Sequence, residues 1–384
     1  MPRFFSLCSL SLLLAAPGVH GAAPAQLPAD PSHATGVQTR DLAPGILARR
    51  TVLMKQAMAG LAAGNTSAAV TAFETAVSMA HAPDAELGLV RSYLQAGNYR
   101  QALAYSAHTA GAHREEPEGT VLYVWLLHLG GQEAAAKRIL AEAQSRLPGN
   151  AAMERVQRKL DDSSGPSSGT SGVAGAFAPY SLPPLTEAAA ALSGSGVLID
   201  GGRRVLAPLA AVAHARKIWV RNGLGHLRKA AIETRFDKYG IALLKLDQSL
   251  PLTAGLMGAS KDPFPGSVVY AVAYAMVRGA AADWPVMRHG FLGTPKGNGT
   301  DWELGITMPA GPHGGPVFDA SGALAGISMS TPIGKPTFVP ISRIKQLTGD
   351  RLGSAAPAEK GPRMAMEQVY EKAMGAAVQV LMAR

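Results

Sequence analysis

Two hydrophobic rhythms divide this chain. From Arg49 to Gly149 apolar residues recur at helical spacing, and beyond Gly196 they gather into short runs bounded by glycine, proline and serine. Sliding the first region against itself by 33 residues aligns Leu61 with Leu94 and Leu127, Gly64 with Gly97 and Gly130, and Ala69 with Ala102 and Ala135. Around these points "LAAGNTSAAVTAF", "LQAGNYRQALAYS" and "LHLGGQEAAAKRI" each predict the end of one helix, a glycine turn and the start of a second helix. Small residues stand where the paired helices must approach, while Val70, Phe73, Leu103, Ile139 and Leu140 fill the next turns. Pro83, Pro117 and Pro148 follow the second helices, where proline stops a helix without breaking one.

The second rhythm predicts strands at "GVLID", "RVLAP", "KIWVR", "AAIETRF", "IALLKL", "VVYAVAYA", "ITM", "GPVFD", "LAGISM" and "TFVPI". Many short strands at this spacing point to an all-β barrel or sandwich. Between the rhythms, residues 161–184 read "DDSSGPSSGTSGVAGAFAPYSLPP", the composition of a flexible linker. A second Gly/Ala/Pro stretch lies within 351–362. The closing segment 363–384 reads either as an amphipathic helix with Met364, Val369, Ala373 and Ala377 on one face, or as a strand over Ala376 to Met382. That strand would close the barrel or pair with a neighbouring subunit.

Composition narrows the class. A chain of 384 residues with 47% apolar content can build about two or three cored domains. Residues 1–23 place Arg3 before an apolar run from Phe4 to Ala16 and small residues at Gly21-Ala22-Ala23, the layout of a cleaved secretory signal. The only cysteine, Cys8, lies inside that run, so neither a disulfide nor a lipid anchor is expected in the mature protein. No later run reaches the roughly 20 apolar residues of a membrane span. The expected compartment is the periplasm or the exterior. The net charge of +9 is scattered over short pairs such as Arg49-Arg50, Arg203-Arg204 and Arg228-Lys229, with no basic run interleaved with aromatics, which argues against nucleic-acid binding.

The helical units resemble the tetratricopeptide repeat, whose period is about 34 residues. They depart from its pattern at Gly60, where an aromatic is usual, and at Ser106, where a large apolar residue is usual. The resemblance implies a concave surface that grips a peptide or partner helix. In the β region, "GSGVLIDGGRRVLAPLAAVAHARKIWV", "KYGIALLKL" and "AGPHGGPVFDASGALAGI" follow one another in the order of three motifs of trypsin-like serine proteases, especially the bacterial envelope (HtrA) type. That resemblance implies two packed barrels with a cleft between them. Laid on its motifs, the catalytic histidine position falls on Ala210, the acid on Gly240 and the serine on His313, while Gly311, Gly314 and Gly315 keep the shape of the oxyanion loop.

Acyl transfer needs a hydroxyl or thiol nucleophile, a base within reach of it and a carboxylate to orient the base. Alanine and glycine supply neither base nor acid, and an imidazole at the nucleophile position has nothing to activate it. A shifted triad from His214 and Asp237 would break the match of "KIWV" and "IALLKL" to their strands, and neither Ser321 nor Ser328 fits the nucleophile loop. No metal-ligand spacing accompanies His313 and no phosphate-binding glycine loop is visible, so neither metal nor cofactor is expected. His214, His226 and His289 read as ordinary surface or turn residues, and Trp219, Trp284 and Trp302 as packing residues.

The sequence therefore predicts a multidomain α + β chain: signal (1–23), N-terminal extension (24–48), helical repeats (49–160), linker (161–184), trypsin-like double barrel lacking the triad (185–350), linker (351–362) and C-terminal segment (363–384). Its expected role is a non-catalytic adaptor or scaffold for a protein or peptide partner. The alternatives are a serine endopeptidase with rearranged catalytic residues and a structural subunit of an envelope complex.

Overall fold

The structure, a computed structural model, describes residues 38–161, 176–251, 256–275, 279–296, 301–308, 314–330, 335–352 and 362–384. The expected signal therefore lies outside the described residues. The first of these stretches folds into helices α1 (Pro44–Ala62), α2 (Thr66–Met79), α3 (Pro83–Gln95), α4 (Tyr99–Ala112), α5 (Pro117–Leu129), α6 (Glu133–Arg146) and α7 (Ala151–Asp161). Helix α1 begins inside the expected N-terminal extension, because Pro44 sits where a helix start needs no amide donor.

The turns α1–α2, α3–α4 and α5–α6 share one construction. Gly64, Gly97 and Gly131 take φ of +79°, +85° and +77°, a left-handed conformation that side chains disfavour. The amides of Asn65, Asn98 and Gln132 then return to the carbonyls of Gly60, Tyr93 and Leu127 at 2.8, 2.8 and 2.9 Å, satisfying acceptors at the helix ends. This corrects the alignment at constant spacing: the third unit carries one extra residue, so Gly131 and not Gly130 makes the turn. The alanine packed between the helices of that unit is the fully buried Ala136, not the half-buried Ala135. Leu61, Leu94 and Leu127 are all buried, but the position of Leu61 and Leu94 in the turn is taken in the third unit by His128, whose carbonyl accepts from Gly131 as theirs accept from Gly64 and Gly97. Helix α7 covers the end of the array with Met153, Val156 and Leu160, spaced to lie on one face.

The C-terminal part contains β1 (Ala191–Ile199), β2 (Arg204–Pro208), β3 (Lys217–Asn222), β4 (Leu227–Phe236), β5 (Ile241–Leu246), β6 (Val268–Ala273), β7 (Val286–Lys296), β8 (Asp301–Gly305), β9 (Pro316–Asp319), β10 (Leu324–Ser330), β11 (Pro336–Pro340), helix α8 (Ile341–Thr348), helix α9 (Met366–Ala376) and β12 (Ala377–Ala383). These strands make two closed barrels, ordered β1-β12-β3-β4-β5-β2 and β10-β11-β8-β7-β6-β9. The architecture is the expected one, a helical region followed by a trypsin-like double barrel. Strand β7 was not legible in the sequence, and "ITM" lies just after β8 instead of forming a strand.

The C-terminal segment is both helix and strand. Strand β12 runs antiparallel between β1 and β3, with Val378 opposite Gly196 on one side and Asn222 on the other. Arg221 of β3 is 1% exposed; it donates to Gln379 Oε1 at 3.0 Å and to the carbonyl of Ala280 at 3.0 Å. Burial pushes its guanidinium down to about 10.

Helices and barrels share one continuous apolar core that includes Trp125, Tyr99, Tyr370, Trp284, Met287 and Phe318. Around it Arg100 clamps Glu371 through its side chain and backbone amide, and Arg288 meets Glu133 at 2.9 Å. Residues 162–175 of the expected linker lie outside the described residues, whereas 176–184 are docked. Gln95 accepts from the amide of Tyr180 at 3.2 Å, Phe177 accepts from Trp284 Nε1 at 2.6 Å, and Leu182 bridges Gly225 and Leu227 through backbone bonds of 2.8 Å. The aromatic and leucine side chains that interrupt the Ser/Gly composition here give this half of the segment something to bury.

Candidate functional site

The site is built where the ends of β2, β5 and β9 converge. Strands β2 and β5 pair with Pro208 opposite Ile241. Beyond Pro208 a short 3-10 turn, Leu209–Ala211, carries Ala210, which is exposed. Before Ile241 the chain turns through Asp237–Tyr239 and closes at Gly240, whose φ of 62° favours glycine. The amide of Leu209 donates to the carbonyl of Gly240 at 2.7 Å, so the backbones bearing Ala210 and Gly240 are tied directly together.

The loop before β9 meets them from the second barrel. Gly314 has φ of +141°, and a Cβ there would run into the Pro208 ring and the carbonyl of Ser195. A Cβ on Gly315 would collide with the carbonyl of Val272. Both glycines are thus required by close approach, and they pin this loop across the seam between the barrels. Gly311 and His313 lie outside the described residues. The structure accordingly brings the Ala210, Gly240 and Gly314-Gly315 segments together at one end of the double barrel.

What these segments offer chemically is limited. Ala210 and Gly240 carry no group that can take or hold a proton. The hydroxyls near the loop are held by backbone groups: Ser195 Oγ, 1% exposed as a residue, accepts from the Tyr274 amide at 2.9 Å, and the fully buried Ser328 donates to the Gly315 carbonyl at 3.2 Å. Among the described residues no serine hydroxyl forms a hydrogen bond to an imidazole at this end. Asp237 is exposed and paired with Arg235 at 3.1 Å, and His214 is exposed. His289 is also exposed, and burial, with a smaller effect of Arg228, lowers the His226 pKa.

An open groove of about 530 Å³ lies on the first barrel, lined by Pro183, Pro184, Trp219, Arg228, Lys229 and Asp247 among others.

One group escaped the sequence reading altogether. His81, Glu86 and His113 place ligand atoms within 4.8 Å of one another in the helical region. No short metal motif marks them, although His81 and Glu86 are spaced like His108 and His113.

Residues 194–327 match the family model described as trypsin-like peptidase domain, a stretch running from β1 into β10. No curated protein matches the chain. Among solved structures, the crystal structure of the MamO protease domain from Magnetospirillum magneticum (apo form) is similar at 20% identity, covering 43% of this chain and 100% of that chain with a TM-score of 0.33.

Proposed function

We propose that this chain is an exported, non-catalytic adaptor, in which tetratricopeptide-like hairpins (49–160) and a pseudoprotease double barrel (185–350, closed by strand β12) form one body that holds a protein or peptide partner. The observation that carries this reading is the convergence of Ala210, Gly240 and the Gly314-Gly315 loop with no hydroxyl–imidazole pair among the described residues. If His313 stands at the nucleophile position, all three triad members are missing. Loss of the nucleophile or base alone costs on the order of 10⁶ in turnover in a well-studied serine protease.

Both barrels close on themselves, so neither presents a whole free strand edge for a peptide to extend. The partner surface therefore falls on side-chain surfaces. The first-barrel groove is one. Helix α1 is another, where Ile46, Leu47, Val52 and Met58 are 47%, 39%, 52% and 39% exposed.

The test is labelling of the full mature chain with a fluorophosphonate probe, together with a peptidase assay on a casein substrate. The reading expects neither labelling nor turnover. Labelling that depends on one particular serine would make the chain an enzyme and overturn it.

A further inference from the structure

The helical region contains a constellation that the adaptor role does not use. His81 lies in the turn before α3, Glu86 in the first turn of α3, and His113 caps α4. Glu86 Oε1 stands 3.0 Å from His81 Nε2 and 3.4 Å from His113 Nε2. His108, from α4, brings its Nε2 to 3.2 Å from His81 Nε2. The Glu86 side chain is 0% exposed, the His113 side chain 8% and the His81 side chain 18%.

From these contacts we infer that His81, Glu86 and His113 form a binding site for a divalent transition-metal ion, with Zn²⁺ the best match, and that His108 stands beside its fourth position.

Three features carry the inference. The first is charge. A carboxylate fully removed from water is costly unless a cation faces it, and the polar groups that face Glu86 Oε1 are imidazole nitrogens. Its second oxygen, Oε2, is buried without a hydrogen-bond partner, which leaves capacity that a metal ion can use.

The second is proton accounting. Each imidazole Nε2 carries either one proton or one lone pair. His81 Nε2 faces both Glu86 Oε1, an acceptor, and His108 Nε2 at hydrogen-bond distance. One proton cannot be directed at both, whereas a metal ion draws a lone pair from each nitrogen and from the carboxylate.

The third is size. Ligands about 2.0 to 2.1 Å from a tetrahedral ion lie about 3.3 Å from one another. Glu86 Oε1 stands at tetrahedron-edge distance, 3.0 and 3.4 Å, from the two imidazole nitrogens of the triad, His108 Nε2 stands at such a distance, 3.2 Å, from His81 Nε2, and the three ligand atoms of the triad all lie within 4.8 Å of one another. Two imidazoles and a carboxylate with one position left over is a donor set that suits Zn²⁺, and the absence of thiolate excludes a soft-metal preference. The partial exposure of His81 gives the ion a way in.

The test uses the untagged full-length mature chain, stripped with a chelator and titrated with Zn²⁺ by isothermal calorimetry and with Co²⁺ by visible absorption. One ion should bind per chain, and Co²⁺ should give the intense d–d bands of a tetrahedral site. Glu86→Gln and His113→Asn should each weaken binding by at least about tenfold, since even residues that only orient metal ligands cost that much when changed. His289→Asn, at an exposed histidine remote in sequence, should leave it unchanged. Absence of saturable binding to the unsubstituted chain would overturn the assignment, as would binding that survives the Glu86→Gln/His113→Asn double substitution. The titrations of the unsubstituted chain decide the matter even if a variant fails to fold.

Discussion

The rings of Tyr99 and Tyr370 meet edge to face with centroids 4.4 Å apart, both fully buried, and this contact joins α4 to α9. Each hydroxyl donates to a backbone carbonyl, Tyr99 to Leu126 at 2.7 Å and Tyr370 to Pro285 at 2.6 Å. The helical hairpins and the barrels therefore share a core and should melt together. Calorimetry of the full chain is expected to show one transition. Tyr370→Phe should cost about 1 kcal/mol for the lost hydrogen bond, and Tyr370→Ala about 3–5 kcal/mol, with two separable transitions. Two transitions in the unsubstituted chain would contradict the shared core.

Strand β12 carries a second prediction. Its Val378, Val380 and Leu381 are 0% exposed, and burial of each contributes about 2 kcal/mol. Removing residues 377–384 should abolish cooperative unfolding of the first barrel, read by near-ultraviolet circular dichroism and by protease sensitivity within β1 and β3. Gln379→Ala is the milder test. It deprives the buried Arg221 of one acceptor and should cost about 2 kcal/mol by urea denaturation.

Stability should also depend on the ionisation of Asp283. This residue is 8% exposed, and burial raises its pKa from 3.8 to about 6, against smaller opposing effects of Lys159 and of the Trp284 amide. The folded state thus holds the proton more tightly than the unfolded chain does. The stabilisation is full below about 3.8, declines as pH rises, is lost through about 6, and does not change further above that. Asp283→Asn keeps the acceptor for the Trp284 amide, bonded at 2.8 Å, and removes the charge. It should flatten the slope of stability against pH in this window and gain on the order of 3 kcal/mol at neutral pH. Urea midpoints measured across the window check it; an unchanged slope would mean that another group titrates there.

His313→Ser should not create a peptidase. The substitution restores a hydroxyl, but Ala210 and Gly240 still provide no base to accept its proton and no carboxylate to orient a base. The variant should label with the fluorophosphonate probe no faster than the unsubstituted chain. Faster labelling would reveal a base supplied from elsewhere in the fold.

Much of this architecture was legible in the sequence because local chemistry agreed with the fold. The strands β1, β2, β3 and β5 each contain a compact apolar run, Val197–Ile199, Val205–Ala207, Ile218–Val220 and Ile241–Leu244, near turn residues, and Gly64 and Gly97 announce their turns. In the third unit two adjacent glycines, Gly130 and Gly131, conceal a one-residue insertion, since the pattern tolerates either as the turn. Strand β7, "VMRHGFLGTPK", contains Arg, His, two Gly and Pro, and it is made a strand by β6 and β8 on either side. The Ala210, Gly240 and Gly314-Gly315 segments meet because paired strands and glycines required by close approach fix those loops. The Glu86 cluster was not legible, because its imidazoles come from a turn and a helix end with no short motif, and only the stacking of α3 against α4 assembles them.

The position of β12 also sets an order of events during synthesis. The strand that fills the gap between β1 and β3 is translated after every strand of the second barrel. A ribosome must finish one barrel before it can supply the last stave of the other. Until then β1 and β3 each have an unpaired edge, open to wrong partners. A contiguous gene fragment spanning β1 to β5 lacks the strand that closes the first barrel, whereas the strands β6 to β11 of the second barrel are contiguous in the chain.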